Sequence, residues 1–362
     1  MTWKSPAPRA SRSKIGLAAI LCLAATTSAQ QTPPSALFVL GDSLSDVGNA
    51  AALVDFAIGR VFAGERAVGL CNPADVLVLE RGCEDVFYRG NRVSDGPVAV
   101  EHLAAHLEMA DLAPSRHPVL ERSAIGTNYA VASAKARGTE LEDLGRQTDM
   151  LVLDHGPLLP ADALYVVMIG GNDAIDALQA QMRAGGTRSA AAATVAAAVG
   201  AIQTAVRRLL HHGARRLIVA NVPDLGALPA VRAAAQSTAD PAATLVAASA
   251  VTAELNARLD TALDALRREH ATAAILHFDL AAALETTLAA AARAGVNTHD
   301  ACFDSAAYRA SPSAERTFHP DCAGLEPAHR FSAFSFWDAL HPSGALHAEL
   351  GRALIELYER AR

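Results

Sequence analysis

A doubly wound α/β fold, a mostly parallel sheet flanked by helices, is the class this sequence predicts. Two observations carry the prediction. Ala36 to Leu40, Leu164 to Ile169, Arg216 to Ala220 and Ala274 to Phe278 are short, mostly apolar runs bounded by turn residues, and apolarity without alternation marks strands covered on both faces. Helical stretches separate them, and strands alternating with helices imply a parallel sheet joined by right-handed crossovers. Ligands of such sheets sit at the carboxyl ends of the strands.

Composition agrees with one packed body. Hydrophobic residues make up 51% of the 362 and charged residues 19%, which supplies a core and excludes a disordered or collagen-like chain. The 31 basic residues against 38 acidic ones leave a formal charge of -7, so no nucleic-acid partner is expected. No G-x-G-x-x-G follows a strand and no G-x-x-x-x-G-K-[ST] occurs, which sets aside dinucleotide and P-loop chemistry.

At the start of the chain, Lys4, Arg9, Arg12 and Lys14 precede an apolar run from Ile15 to Ala25, and Thr27, Ser28 and Ala29 supply small residues of the kind a signal peptidase reads. Residues 1–29 are therefore expected to be a secretory signal peptide cleaved near Ala29, because the run is shorter than the roughly 20 residues of a membrane span. Cleavage would leave 27 basic residues against 38 acidic ones, a charge of -11. Residues 30–362 would then form a single domain of a secreted or periplasmic protein. Cys71, Cys83, Cys302 and Cys322 remain in it, an even set that reads as disulfides in an exported chain. Cys71 with Cys83 and Cys302 with Cys322 is one of three pairings, and no pair has the short spacing of a zinc knuckle.

The first strand runs into Gly41-Asp42-Ser43-Leu44-Ser45-Asp46, a sharp turn that would lift Ser43 to the strand's carboxyl end and the start of a helix. A serine there serves as a nucleophile if a base takes its proton, and helix N–H groups would face a developing oxyanion. A plain helix cap is the alternative use of the same residues. The stretch 57–92 reads as an insertion. Arg92 to Val98 then leads into a helix with Val100, Leu103 and Leu107 on one side, Ser94 or Asp95 as its N-cap and Pro97 in its first turn.

The second strand ends at Ile169 and meets Gly170-Gly171-Asn172-Asp173. Glycines there permit close backbone approach, and the Asn172 amide could donate to an oxyanion or cap an ordinary turn. A helix from Ser189 to His212 follows, with Val195, Val199, Ile202, Val206 and Leu209 in one stripe. Thr194, Gln203, Thr204, Arg207 and Arg208 interrupt its apolarity, which favours a core helix over a membrane span. His211 and His212 before Gly213 mark the helix end rather than a metal site. After the fourth strand, 295–336 reads as a second insertion, and both insertions would shape a substrate entrance.

Asp338 and His341 come next. Three residues of separation can bring a carboxylate onto one imidazole nitrogen and leave the other for Ser43. His319, beside Pro320 and Asp321, lacks that carboxylate spacing. Leu346, Leu350, Leu354 and Leu357 recur at helical intervals in a last helix.

Taken together, Gly41 to Asn49, Gly170 to Asp173 and Phe336 to Ser343 resemble the three catalytic blocks of the GDSL or SGNH hydrolases, in order and separation across nearly the whole mature chain. The resemblance implies a flavodoxin-like three-layer sandwich with Ser43 as nucleophile and Asp338 and His341 as its base pair. It also implies an oxyanion hole made of the Ser43 backbone N–H, the Asn172 amide and a third donor. That third donor is a glycine in the family block similar to Gly126-Thr127-Asn128-Tyr129-Ala130-Val131-Ala132-Ser133-Ala134. Here it is Ser133, which keeps the N–H but adds a side chain. Asp42, Asp46 and Asp173 are expected to brace loops rather than move protons.

No cofactor and no metal are implied. The expected activity is ester hydrolysis of the esterase or lipase type on a small-molecule or lipid ester, the latter entailing transient contact with a membrane surface. Relatives acting as phospholipases, acyltransferases or carbohydrate deacetylases keep those activities open. A non-catalytic binding protein is the rival from another class.

Overall fold

The computed structural model describes residues 1–3, 32–50, 92–109, 112–115, 126–183, 187–304, 318–325 and 331–362. Most of the 57–92 stretch, with Cys71 and Cys83, lies outside them. Contacts divide the chain into Met1–Thr32 and Pro33–Arg362, and all that follows concerns the second unit.

Four strands, β1 (Leu37–Gly41), β2 (Leu164–Met168), β3 (Arg216–Ala220) and β4 (Ala274–Phe278), pair in parallel in that order. They fall on the four apolar runs. The chain's α-helices are α1 (Ala99–His106), α2 (Leu144–His155), α3 (Gly171–Met182), α4 (Arg188–His211), α5 (Pro229–Ala235), α6 (Pro241–Glu269), α7 (Leu280–Arg293), α8 (Pro320–Ala323) and α9 (Gly344–Arg360), counted among the described residues.

Alternation along the strands sorts these helices into two layers. Phe38, Leu40, Tyr165, Val167, Leu217 and Val219 point into one apolar cluster with α2, α3, α4 and α6. Leu37, Val39, Leu164, Val166, Met168 and Ile218 point into the other, with α1, α7 and α9. The fold is thus an α/β three-layer sandwich. Helix α4 is long and apolar enough to cross a membrane by composition, yet its stripe of Val195, Val199, Ile202, Val206 and Leu209 is buried in the first cluster.

The winding reverses at β1. Thr127 to Val131 runs parallel to the free edge of that strand, through Val39 N to Thr127 O (3.1 Å), Tyr129 N to Val39 O (2.7 Å) and Val131 N to Gly41 O (3.1 Å). This segment precedes β2 in sequence but lies on the opposite side of β1. Right-handed crossovers in opposite directions place their helices on opposite faces, which is why α1 and α4 belong to different layers. The carboxyl end of β1 is therefore the switch point, where open α/β sheets form their crevice.

A second, two-stranded parallel sheet pairs β5 (Asn297–Ala301) with β6 (Phe334–Phe336). The described part of 295–336 is built into the core, since Cys302, Phe303, Phe318, Cys322, Phe334 and Phe336 all belong to the first cluster. Cys302 and Cys322 form a disulfide. Beyond β5 the pairing continues as Cys302 N to Phe336 O (3.1 Å) and Phe303 N to Trp337 O (2.7 Å), so the disulfide-tied segment lies against the residue preceding Asp338.

Opening this bridge, which spans a sequence separation of 20, is expected to lower the unfolding free energy by about 3 kcal/mol. Urea melts of oxidised and reduced protein measure it, and coincident curves would dispose of the contribution.

Candidate active site

Gly41 ends β1 opposite Met168, and a Cβ at that position would stand 2.4 Å from the Met168 carbonyl oxygen. Only glycine lets the two backbones meet there. The chain then turns, with Ser45 N and Asp46 N both donating to Asp42 O at 3.0 Å. Ser43 sits on this turn with 9% of its surface exposed. Helical backbone resumes only at Asn49, so Ser43 occupies a hydrogen-bonded turn and not the start of a helix as the sequence suggested. The cause is Asp46, whose carboxylate accepts from Gly48 N (2.7 Å), Asn49 N (2.7 Å) and Ala50 N (3.0 Å) and so caps that later start itself.

Other amides lock the same turn. Asn128 Nδ2 donates to Ser45 O (2.7 Å), and Asn49 Nδ2 donates to Asn128 O (2.7 Å) and Ala130 O (2.9 Å). Buried Gln147 of α2 accepts from Gly41 N (2.8 Å) and donates to Gly41 O (2.7 Å). No motif pointed to Gln147, because its role depends on α2 packing against β1.

Asp338 and His341 lie on a tight hairpin closed by Trp337 N to His341 O (2.9 Å) and Ser343 N to Ser335 O (2.9 Å). His341 Nδ1 lies 2.8 Å from both Asp338 carboxylate oxygens, and its Nε2 lies 2.9 Å from Ser43 Oγ. A carboxylate only accepts, so Nδ1 carries the proton and Nε2 is left to accept from the hydroxyl. Asp338 Oδ1 is itself oriented by Leu340 N (2.8 Å) and His341 N (2.7 Å).

The 92–98 segment braces this hairpin. Ser94 Oγ donates to Pro342 O (3.2 Å), and Asp95 accepts from Gly344 N (2.7 Å) at the start of α9. Neither caps its own helix, contrary to the sequence expectation. Helix α1 starts later, at Ala99, where Glu101 reaches back to Val98 N (2.9 Å).

Asn172 stands in the first turn of α3, after Gly170 at φ 120°, and donates through Nδ2 to Ala134 O (2.9 Å). Ser133 occupies the third position of a turn closed by Ala134 N to Val131 O (3.1 Å), at φ 69°. Both neighbours are pinned: Ala132 N donates to Asp46 (2.8 Å) and Ala134 O holds Asn172. The left-handed backbone that a glycine would adopt freely is thereby imposed on a serine, at a cost of about 1–2 kcal/mol.

The family described as GDSL-like Lipase/Acylhydrolase matches residues 37–354, from the start of β1 into α9. The chain belongs to this GDSL family. A GDSL esterase/lipase of Arabidopsis thaliana is 25% identical over 287 residues, which cover 73% of this chain and 71% of that relative. The GDSL chain is an ester-bond hydrolase, and its substrate is a small-molecule ester.

The remaining sequence candidates fall elsewhere in this GDSL hydrolase. His319 Nδ1 accepts from Asp321 N (3.3 Å) and caps α8, while His212 Nδ1 is 2.8 Å from Pro157 O at the end of α4. Among the described residues, no three His, Cys, Asp or Glu side chains cluster as metal ligands. Asp173 accepts from Ala136 N (2.7 Å) and Arg137 N (3.3 Å), and burial pushes its carboxyl up, as it does that of Asp46.

Asp42 lies in the wall of the cleft beside Ser43, Asn172 and His341. It accepts from Leu44 N (3.1 Å) and Gly171 N, which ties the Ser43 turn to the helix bearing Asn172. Burial raises its carboxyl from 3.8 to about 6, against the pull of those N–H groups and of His341. The folded chain then binds the proton more tightly than the unfolded one, so stability falls as pH rises between 3.8 and about 6. The full cost, on the order of 3 kcal/mol, is present above that window. Asp42→Asn should shrink the decline in unfolding free energy between the two ends of the window by a comparable amount. Denaturant melts at several pH values read it, and an unchanged decline would assign the effect to other groups.

Proposed function

We propose that the chain is an exported serine carboxylic-ester hydrolase, of the esterase or lipase type, working through an acyl-enzyme with a Ser43–His341–Asp338 triad. The single observation that carries the reading is the 2.9 Å separation of Ser43 Oγ and His341 Nε2, with Asp338 behind the ring at 2.8 Å. A neutral imidazole in that position takes the hydroxyl proton as Oγ attacks the ester carbonyl, and then returns it to the departing alcohol. Water repeats the sequence on the acyl-enzyme. Asp338 keeps the proton on Nδ1 and stabilises the imidazolium that forms.

The negative charge developing on the carbonyl oxygen would be met by the Ser43 and Ser133 backbone N–H groups and the Asn172 amide. An amide nitrogen has two donors. One of Asn172 is held by Ala134 O, which fixes the plane of the group and aims the other. Donors positioned before the reaction need no reorganisation when charge appears. For export, support comes from the basic, apolar and small-residue succession within 1–29, and from the Cys302–Cys322 disulfide, a bond that persists in oxidising compartments.

Ser43→Ala should abolish hydrolysis of a chromogenic ester, a drop of at least roughly a thousandfold, with the thermal midpoint little changed. Asn172→Ala should cost on the order of 10²–10³ in kcat. Steady-state kinetics with parallel melts check both, and turnover by the Ser43 variant would remove that residue from the reaction.

Ser133→Gly should keep turnover and raise the unfolding free energy by about 1 kcal/mol, because it relieves the left-handed backbone and retains the N–H. A fall in both quantities would place the serine hydroxyl, not the backbone, at the centre of that turn.

A further inference from the structure

We propose that the chain has a second binding site, for a singly charged carboxylate on a compact apolar body, in a cavity that adjoins the Asp338–His341 hairpin and has Arg232 of α5 as its anchor. The site stands apart from the Ser43 reading, because its binding is measured without turnover.

The cavity has a volume of about 550 Å³, within the range of small-molecule sites. Ala339, between Asp338 and Leu340, lines it, and so do Pro229 and Arg232 of α5, Phe303 after β5, and Phe318 and His319 before α8. No described residue lines both this cavity and the cleft beside Ser43. Consecutive residues divide between them: Leu228 and Leu340 line the cleft, Pro229 and Ala339 the cavity. Ala230 N donates to Ala339 O at 2.8 Å, which joins α5 to the hairpin along this wall.

Arg232 is half-buried, and its guanidinium makes no hydrogen bond or ion pair with any described residue. Its Nε is shut off from solvent and still has no partner. A guanidinium has five N–H donors and no acceptor, and a donor of a charged group taken out of water unpaired is costly. His319 adds another donor to the wall. Its Nδ1 accepts from Asp321 N (3.3 Å), so the neutral ring carries its proton on Nε2. An oxyanion is the partner that such donors lack, and a carboxylate matches the guanidinium fork with its two oxygens.

Other residues set the body and the charge of the ligand. Phe303 and Phe318 are 1% and 7% exposed, with ring centroids 6.2 Å apart in an edge-on pair. An apolar body beside them leaves water for aromatic surface. Asp300 and Asp304 also line the cavity, both exposed and neither paired with Arg232. Two carboxylates on the same wall repel a dianion more strongly than a monoanion. Phosphate is thereby disfavoured, and one negative charge on an apolar body suits the whole lining.

Calorimetric titration of the full chain at neutral pH with benzoate, benzamide and inorganic phosphate tests the proposal. Wild-type protein should take up benzoate, and bind the uncharged benzamide and the more highly charged phosphate each at least about tenfold more weakly. Arg232→Gln should cut the benzoate affinity by about tenfold or more, while urea melts without ligand show that the variant is folded. Should that variant fail to fold, Arg232→Lys answers alone, since an ammonium has no fork and should bind benzoate at least about threefold more weakly. Benzoate held beside Ser43 would be indifferent to either change. Unaltered affinity in the folded variants, no uptake by wild-type protein, or benzamide or phosphate binding as tightly as benzoate would overturn the proposal.

Discussion

Asp46 is the point on which the site's architecture turns. Its fully buried carboxylate accepts four backbone N–H groups, three from the chain just beyond it and one from Ala132, 86 positions away. Burying a carboxylate is costly, and only a complete set of donors makes the ionised form tolerable. Those donors come from two segments that run side by side at the carboxyl end of β1, the Ser43 turn and the stretch from Thr127 to Ala132. Asn49 and Asn128 add bonds across the same seam. The strand-order reversal at β1 is what brings the second segment there. A carboxylate spent in this way braces the site and has no lone pair aimed at the reacting groups.

The His341 hairpin is held from several sides by different means. Asp95 and Ser94 hold its exit, Ala230 at the start of α5 donates to Ala339 O at 2.8 Å, and Ser343 caps α9 through Leu346 N at 3.4 Å. Phe303 bonds to Trp337 and stacks on it at 5.4 Å between centroids, with the disulfide one residue away. Under the proposed roles, donors and a base held in this way before substrate arrives would contribute to rate through preorganisation. The strained backbone at Ser133 fits the same economy, since fixed neighbours on both sides keep a residue in a conformation it would leave if free.

Much of this was legible in the sequence. The four strands and α4 were readable because burial on both faces and a helical stripe are local, periodic signals. Ser43, Asp338, His341 and Asn172 stood out as candidates because three short blocks resemble those of one family, whereas strand ends and a three-residue spacing alone left a helix cap or a turn as the other use of Ser43 and Asn172. Other parts were not readable. Ser94 and Asp95 look like caps for the helix that follows them, and only folding shows that Ser94 instead holds Pro342 of the His341 hairpin and Asp95 the start of α9. Gln147 carries no motif at all, and its two bonds to Gly41 exist because α2 packs beside β1. The helix expected at Ser43 was displaced because Asp46 caps a later start.

Sequence alone determined which residues can do chemistry and which stretches must be buried, because residue type and periodicity are properties of the chain as written. Tertiary structure alone decided that Ser43 and His341, 298 positions apart, approach to 2.9 Å. It also decided that the segment from Thr127 to Val131 crosses to the outer side of β1, and that leucines from several separate elements line the cleft beside Ser43. The physical reason is that distance in space is set by crossover handedness and by the packing of helix layers, and neither is written in any short window of residues.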